Sequence, residues 1–371
     1  MMVRPEVVEG HVVELPLRRP FVTSFGEERT KRALLLRLVA DGGEGWGECV
    51  AGAGPWFSAE TVESAQHVIR EFALPLLRQG VWPPPREVAE RLAPIRGHPM
   101  AKAALEAATW DLYCRARGVS LREELGGTRR EVEAGVSLGI ERSLEELLVQ
   151  VSAAVEQGYR RVKLKIKPEW DVDAVAAVRE RYPDLPLTVD ANASYTLDDA
   201  LHLKEIDAYG LVMIEQPLAI DDLVGHGRLA GLLETPLCLD ESVSSPQRAW
   251  EALELGACRV INIKQGRVGG LRAALGIHRM AHERGVPVWC GGMLETGLGR
   301  ALNVALATLP GFSLPGDISA TARYWDDDVA KPHFVLTQRG TVAVPEGPGL
   351  GVEIDASRLA ESRVARWTER I

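Results

Sequence analysis

The chain has 371 residues, 46% of them apolar, and a formal net charge of −9 with both signs interspersed. It is long enough for one large or two ordinary domains, and with no basic block it excludes nucleic acid and anionic membrane as partners. Five scattered cysteines (Cys49, Cys114, Cys238, Cys258, Cys290) without zinc-type spacing, no signal-peptide core and no apolar span point to a reduced, cytoplasmic protein.

Residues 1–128 read as a small α+β unit. VVEGHVVEL, ALLLRLVA and EGWGECV are predicted strands, with Asp41-Gly42-Gly43 as the hairpin turn between the last two. Helical spacing follows near 60–78 and 85–94, then over 100–118, where Gly118 is the stop.

From 129 to 324 the pattern changes to a beat. VEAGVSLGI is the first strand, and Ser143-Leu-Glu-Glu146 is a capping box opening the helix after it. Next come RVKLK, LTVD, LVMIE, LCLD and RVINIK. They end at Lys165, Asp190, Glu215, Asp240 and Lys264, at intervals of 25, 25, 25 and 24 residues. VPVWC is the seventh strand and the run from Leu314 to Ile318 the eighth. Asp171, Thr196 and Ser245 are predicted helix caps, and Gly210, Gly256 and Gly285 left-handed helix ends. A strand, a helix and two loops take about 25 residues in a parallel β/α barrel. The expected fold is therefore α/β, a (β/α)7β-type TIM barrel with an α+β capping domain. Past 325, HFVLTQRGTVAVP reads as a hairpin and SRLAESRVARW as a helix. That segment, 325–371, is expected to return to the cap. An open doubly wound sheet is disfavoured because no Gly-rich dinucleotide loop follows any strand.

Barrel active sites gather at the C-terminal ends of the strands. Asp190, Glu215 and Asp240 then end neighbouring strands about 5 Å apart. Three hard oxygen ligands without His or Cys favour Mg²⁺ or Mn²⁺. The alternative, that each acid only caps a helix or meets a surface lysine, needs three coincidences at one period. Lys165 and Lys264 end strands four steps apart and face each other across the mouth, where one can remove a proton and the other return one. Lys163 points the same way as Lys165, and its charge disfavours protonation of that neighbour; the alternative is that both lysines simply neutralise nearby carboxylates. The reaction class that follows is abstraction of a weakly acidic proton α to a carboxylate, with the metal holding the enediolate.

Lys163-Leu-Lys165, Asp190-Ala-Asn192, Glu215-Gln-Pro217, Asp240-Glu-Ser242 and Asn262-Ile-Lys264 together resemble the muconate-lactonising subgroup of the enolase superfamily, over nearly the whole chain. The strings PFVTSFG (20–26), GECV (47–50), GRVGG (266–270) and WCGGMLETGLGRA (289–301) resemble its branch of o-succinylbenzoate synthases and N-succinylamino acid (N-acylamino acid) racemases. The resemblance implies Asp190, Glu215 and Asp240 as metal ligands, Lys165 and Lys264 as the acid/base pair, and Lys163 as their aid. In racemisation each lysine would handle one enantiomer. In the synthase reaction, a syn dehydration, Lys165 would be base and then acid while Lys264 stabilises charge. Arg267 matches an arginine of racemase-capable members, or is a surface salt bridge; Gln265 stands where the family carries proline. PFVTSFG and AGAGPWF (51–57) read as loops whose Phe21, Phe25, Trp56 and Phe57 close over an apolar side chain. Met293 and Leu294 line the same pocket, Asn192 joins the substrate contacts, and Ser137 either bonds the acyl group or is plainly structural.

Dipeptide epimerase is a rival within the superfamily, but Asp317-Ile-Ser319 has one acid where that branch carries two. Muconate cycloisomerase is another, which GRVGG argues against. A Schiff-base lysine lyase would explain one buried lysine but not three periodic acids, and a non-catalytic barrel remains a third class. The expected partners are a small-molecule carboxylate and further copies of the chain. Menaquinone synthesis and amino acid conversion both stay open as the physiological role.

Overall fold

The structure, a computed structural model, describes residues 4–371. Three strands open the chain: β1 (Pro5–Thr23), β2 (Gly26–Ala40) and β3 (Gly43–Cys49). They pair antiparallel, and Ala40 meets Gly43 across the Asp41-Gly42 turn. PFVTSFG is not a loop, as expected above, but the tip of the β1–β2 hairpin, where Thr23 pairs with Gly26. Side chains alternate across a strand, so β2 serves two cores. Leu34, Leu36 and Leu38 pack with the cap helices, while Ala33 and Leu35 join the cluster that runs into the strand–helix body.

The helix Pro99–Arg117, closed by left-handed Gly118, lies on this sheet. Its approach is close enough that a Cβ on Gly47 would sit 2.2 Å from the Ala104 carbonyl oxygen. Gly47→Ala is therefore expected to cost about 1–3 kcal/mol by overpacking, read as a lowered midpoint in denaturant titration.

The same helix carries Glu106. It is fully buried, accepts from the Arg272 backbone N–H at 2.8 Å and from Trp110 Nε1 at 3.3 Å, and its Oε2 has no partner. Burial pushes its carboxyl up to about 7 despite those bonds and the Arg272 charge. Between pH ~4.5 and ~7 the unfolded chain gives up this proton while the folded one keeps it. Stability falls as pH rises through that window and is level above it, by about 3 kcal/mol in all. Glu106→Gln keeps the accepting oxygen and is expected to flatten this part of the pH–stability curve in urea titrations.

Next come β4 (Glu131–Glu133) and seven parallel strands: β5 (Gly135–Leu138), β6 (Arg161–Lys165), β7 (Leu187–Asp190), β8 (Met213–Glu215), β9 (Leu237–Leu239), β10 (Val260–Ile263) and β11 (Val288–Cys290). They form one sheet in sequence order from β5 to β11. VEAGVSLGI is thus not one strand: β4 leaves it to pair with β13 (Thr341–Ala343). The predicted eighth strand is no regular strand either. The segment from Phe312 to Asp317 instead bonds to both edges of the sheet, Ser313 N–H to Val288 and Asp317 N–H to Cys290 on one side, Gly135 N–H to Gly316 on the other. Pro315 and Gly316 keep it short, since neither sustains a ladder. The result is a barrel-like sheet, its inside plugged by Met213, Cys238, Val260 and Trp289.

Predicted caps behave as their side chains allow. Ser143 accepts from Glu146 N–H, but the box is only half made because Glu146 turns to Arg142. Asp171 and Ser245 cap their helices, Thr196 opens a 3₁₀ turn, and Gly210, Gly256 and Gly285 are left-handed.

The remaining strands are β12 (Ala330–Lys331), β14 (Glu353–Ile354), which pairs with it, and β15 (Arg363–Arg370). The predicted C-terminal helix is therefore half wrong. Ala356–Ser362 is helical, but β15 pairs antiparallel with β1 from Val7↔Arg370 inward. The free edge of β1 needed partners for its N–H and C=O groups, and that demand overrides the local helical spacing. The HFVLT hairpin survives only as a Leu336↔Val342 bridge around a Thr337–Gly340 turn.

Candidate active site

Inward residues stack on the apolar plug in a second layer. Lys165, Asp190 and Glu215 are register partners on β6, β7 and β8. Asp240 follows β9, and Asn262 and Lys264 come from β10 and its end. All six are buried. Lys165 Nζ lies 2.6 Å from Asp190 Oδ2 and 2.6 Å from Asn192 Oδ1. Lys264 Nζ lies 2.6 Å from Asp240 Oδ2, and Asn262 Nδ2 donates to Glu215 Oε1 at 2.7 Å. A Cβ on Gly291 would fall 2.7 Å from Lys264 Cε, so only glycine lets that side chain pass.

The motif residues between the charges are struts. Gln216 donates to Ser242 Oγ (2.7 Å) and accepts from the N–H groups of Asp240 and Ser242, tying the end of β8 to the end of β9. Asn192, Ala193, Gln216 and Leu294 all hold left-handed backbone, a strained conformation for side-chain-bearing residues that concentrates at functional sites.

Lys163 does not sit beside Lys165 as a free second ammonium. It reaches Asp317 (2.6 Å), Glu215 (2.9 Å) and Asp190 (3.1 Å). Burial alone would pull its pKa down, but the Asp317, Glu215 and Asp190 charges hold it well above the ordinary lysine range. Lys264 is also raised, burial opposing and Asp240 and Glu241 prevailing. Asp190 goes the other way. Against burial, Lys165 and Lys163 keep it below the usual carboxylate range. Glu215 is pushed up to about 8, by burial first and then by Asp190.

Arg267 is no surface salt bridge. It is buried, bonded to Asp240, to the Asn262 carbonyl (2.6 Å) and to the Val243 carbonyl (3.0 Å). Ser137 is buried with an unpartnered Oγ, in register with Lys163. Neither lines the cavity described next. Two neighbours had no part in the site set read from the sequence: Asp317, clamped by Lys163 and Arg161, and Glu241, bonded to Asn192 Nδ2 at 2.8 Å. Asp317 falls off the 25-residue beat, and Glu241 is the middle letter of Asp-Glu-Ser.

Lys165, Asn192 and Lys264 open into a cavity of about 290 Å³. Phe21 and Phe25 of the hairpin tip, Trp56 and Phe57 of the 51–57 loop, and Met293 and Leu294 after β11 line it. The Lys264 ammonium lies 4.8 Å from the Phe57 ring centroid, and Trp56 is 74% exposed at the rim. A larger cleft at the far edge of the cap, lined by Arg4, Asp41, Glu44 and Arg370, carries none of these residues.

Among the described residues, no three His, Cys, Asp or Glu side chains stand in a ready metal-binding group; each of the three acids is turned to a lysine or arginine. The donor set nevertheless fits a hard divalent cation. It is all carboxylate, and the Asp190 charge raises the proton affinity of both Glu215 and Asp240. Burial, then Asp240 and Asp190, push Glu241 up to about 7, and the buried Glu241 Oε2 has no partner.

Residues 7–126 match the family described as Mandelate racemase / muconate lactonizing enzyme, N-terminal domain, and residues 146–358 match Enolase C-terminal domain-like. An o-succinylbenzoate synthase of Geobacillus kaustophilus is 51% identical over 370 residues, covering 100% of this chain and 97% of its own. An N-succinylamino acid racemase of Amycolatopsis sp is 50% identical over 360 residues, 97% of each chain. The crystal structure of an enolase superfamily member from Listeria innocua superposes with a TM-score of 0.95 at 41% identity, covering 99% of both chains. Two-part architecture, inward charges at successive strand ends and full-length similarity to enzymes agree: the chain belongs to the enolase superfamily.

Proposed function

We propose that this protein removes the proton α to a carboxylate with Lys165 and Lys264 as its two bases, acting as an N-succinylamino acid racemase, an o-succinylbenzoate synthase, or both. One observation carries the reading. Both amines line a single cavity, from strands four steps apart in the sheet, so a flat substrate between them meets a base on either face. Relatives about half identical over nearly the full length bear both names.

Asp190, Glu215 and Asp240 would hold Mg²⁺ or Mn²⁺. Bound there, the cation supplies positive charge against the charge that develops on the substrate carboxylate as the proton leaves. Lys163, kept cationic by its three acids, adds fixed charge at the same place. Arg267 orients Asp240, and Phe21, Phe25, Trp56 and Phe57 exclude water. In racemisation Lys165 and Lys264 each exchange the proton of one enantiomer. In the dehydration Lys165 takes the proton and returns it to the leaving hydroxyl.

The closed (β/α)7β reading rests on the two-sided bonding of the segment from Phe312 to Asp317. The division into cap (1–128), barrel (129–324) and returning tail (325–371) rests on the β1–β15 pairing. Unpaired buried cysteines suit a reducing cytoplasm, and exposed Leu201, Val224 and Trp250 suit a homo-oligomer. Proton exchange in D₂O with N-succinyl amino acids, run beside the dehydration assay, tests the function. Absence of both activities would refute it.

A further inference from the structure

One cation of the cavity takes no part in the proton chemistry. Lys31 lies on β2, on the face its alternation with Ala33 and Leu35 directs away from the cap helices. It is 2% exposed, yet it lines the cavity with Phe21, Phe25 and Met293. Its ammonium makes one hydrogen bond, to the Met293 carbonyl at 2.9 Å, out of a capacity of three. Among the described residues no ion pair joins it to a carboxylate, whereas the buried Lys163 has three and Lys165 and Lys264 have one each. Glu48, an acid near enough for the Lys31 charge to act on it, is spent elsewhere. It accepts from Thr296 N–H (3.1 Å), Thr296 Oγ1 (2.7 Å) and Gly299 N–H (2.9 Å). Arg29 is no substitute, since it is solvated and paired with Glu27 at 2.5 Å.

An ammonium taken out of water without an opposite charge is costly unless an anion arrives to meet it. We infer that Lys31 binds the distal carboxylate of the substrate, the one remote from the proton that Lys165 and Lys264 exchange. This deepens the proposed function and rests on it. The two activities share one chemical element, a succinyl group whose free carboxylate stands two methylenes from its carbonyl, in N-succinyl amino acids and o-succinylbenzoate alike. A cap lysine facing the base-bearing strand ends across one cavity suits a dianion with its charges at opposite ends. The apolar stretch between them suits the methylenes and the side chain.

The test compares N-succinyl-phenylalanine with N-acetyl-phenylalanine, which lacks the distal carboxylate, in wild type and in Lys31→Met, Lys31→Gln and Lys31→Arg. Gln keeps a donor for the Met293 carbonyl without the charge, and thermal melts establish that each variant is folded. Met and Gln are expected to raise KM for the succinyl compound by about 10- to 100-fold, the effect of a lost charge-assisted hydrogen bond. KM for the acetyl compound should stay within roughly 3-fold and kcat should change little, while Arg restores the preference. Equal losses on both compounds would overturn the inference and leave Lys31 a brace for the Met293–Leu294 wall. So would a wild type indifferent to the distal carboxylate. A wild type inactive on both compounds and in the dehydration assay would instead remove the function itself, and the inference with it.

Discussion

Lys264→Ala is expected to lower the racemisation rate by about 10³-fold, within the range for a lost general acid–base. The sharper readout is isotopic. With Lys165 intact, one enantiomer of the N-succinyl substrate should still exchange its α-proton in D₂O with retention, while the other becomes inert. Lys165→Ala should invert that preference. The geometry makes the two losses separable, because each amine is anchored to a different acid, Lys165 to Asp190 and Lys264 to Asp240. An unaltered racemisation rate in Lys264→Ala would exclude the two-base scheme.

Treatment with chelator is expected to abolish turnover, and Mg²⁺ or Mn²⁺ to restore it; full activity in chelator would take the metal out of the mechanism. A second readout is independent of activity. A cation held only by the folded chain stabilises it by about 2.7 kcal/mol at a hundredfold excess over its Kd. Thermal unfolding should therefore shift upward on adding Mg²⁺ to the wild type. Asp190→Asn removes the charge of one of the three proposed ligands and should suppress that shift. An equal shift in Asp190→Asn would place the ion elsewhere.

The strand beat was legible because parallel strands are buried on both faces, so each stands out as an apolar run broken only at its functional end. Period-two alternation placed Lys163 on the same face as Lys165, and both ammonium groups do reach Asp190. What stayed hidden depended on contacts distant in sequence. The choice between a surface salt bridge and a site residue for Arg267 is decided only when Asp240, distant in sequence, is folded beneath it. That Lys163 also meets Asp317 was not legible, because Asp317 arrives from the far edge of the sheet. The helical spacing of SRLAESRVARW is real as far as Ser362; past it, the unpaired edge of β1 decides. Lys31 carried a faint signal, one residue out of phase with the cap-facing leucines of β2, but phase alone does not say that its ammonium lacks an acid.

Because β15 completes the sheet begun by β1, Glu6 and Ile371 lie side by side, with Ile371 N–H on the Glu6 carbonyl at 2.8 Å. A ribosome delivers β1 long before β15, so a nascent chain carries an open sheet edge until Arg363–Arg370 emerge. The strand ends bearing Lys165 and Lys264 are made well before the hairpin that roofs them is braced. Chains cut short before residue 363 should thus retain the barrel-like body while their cap edge recruits a neighbour's strand.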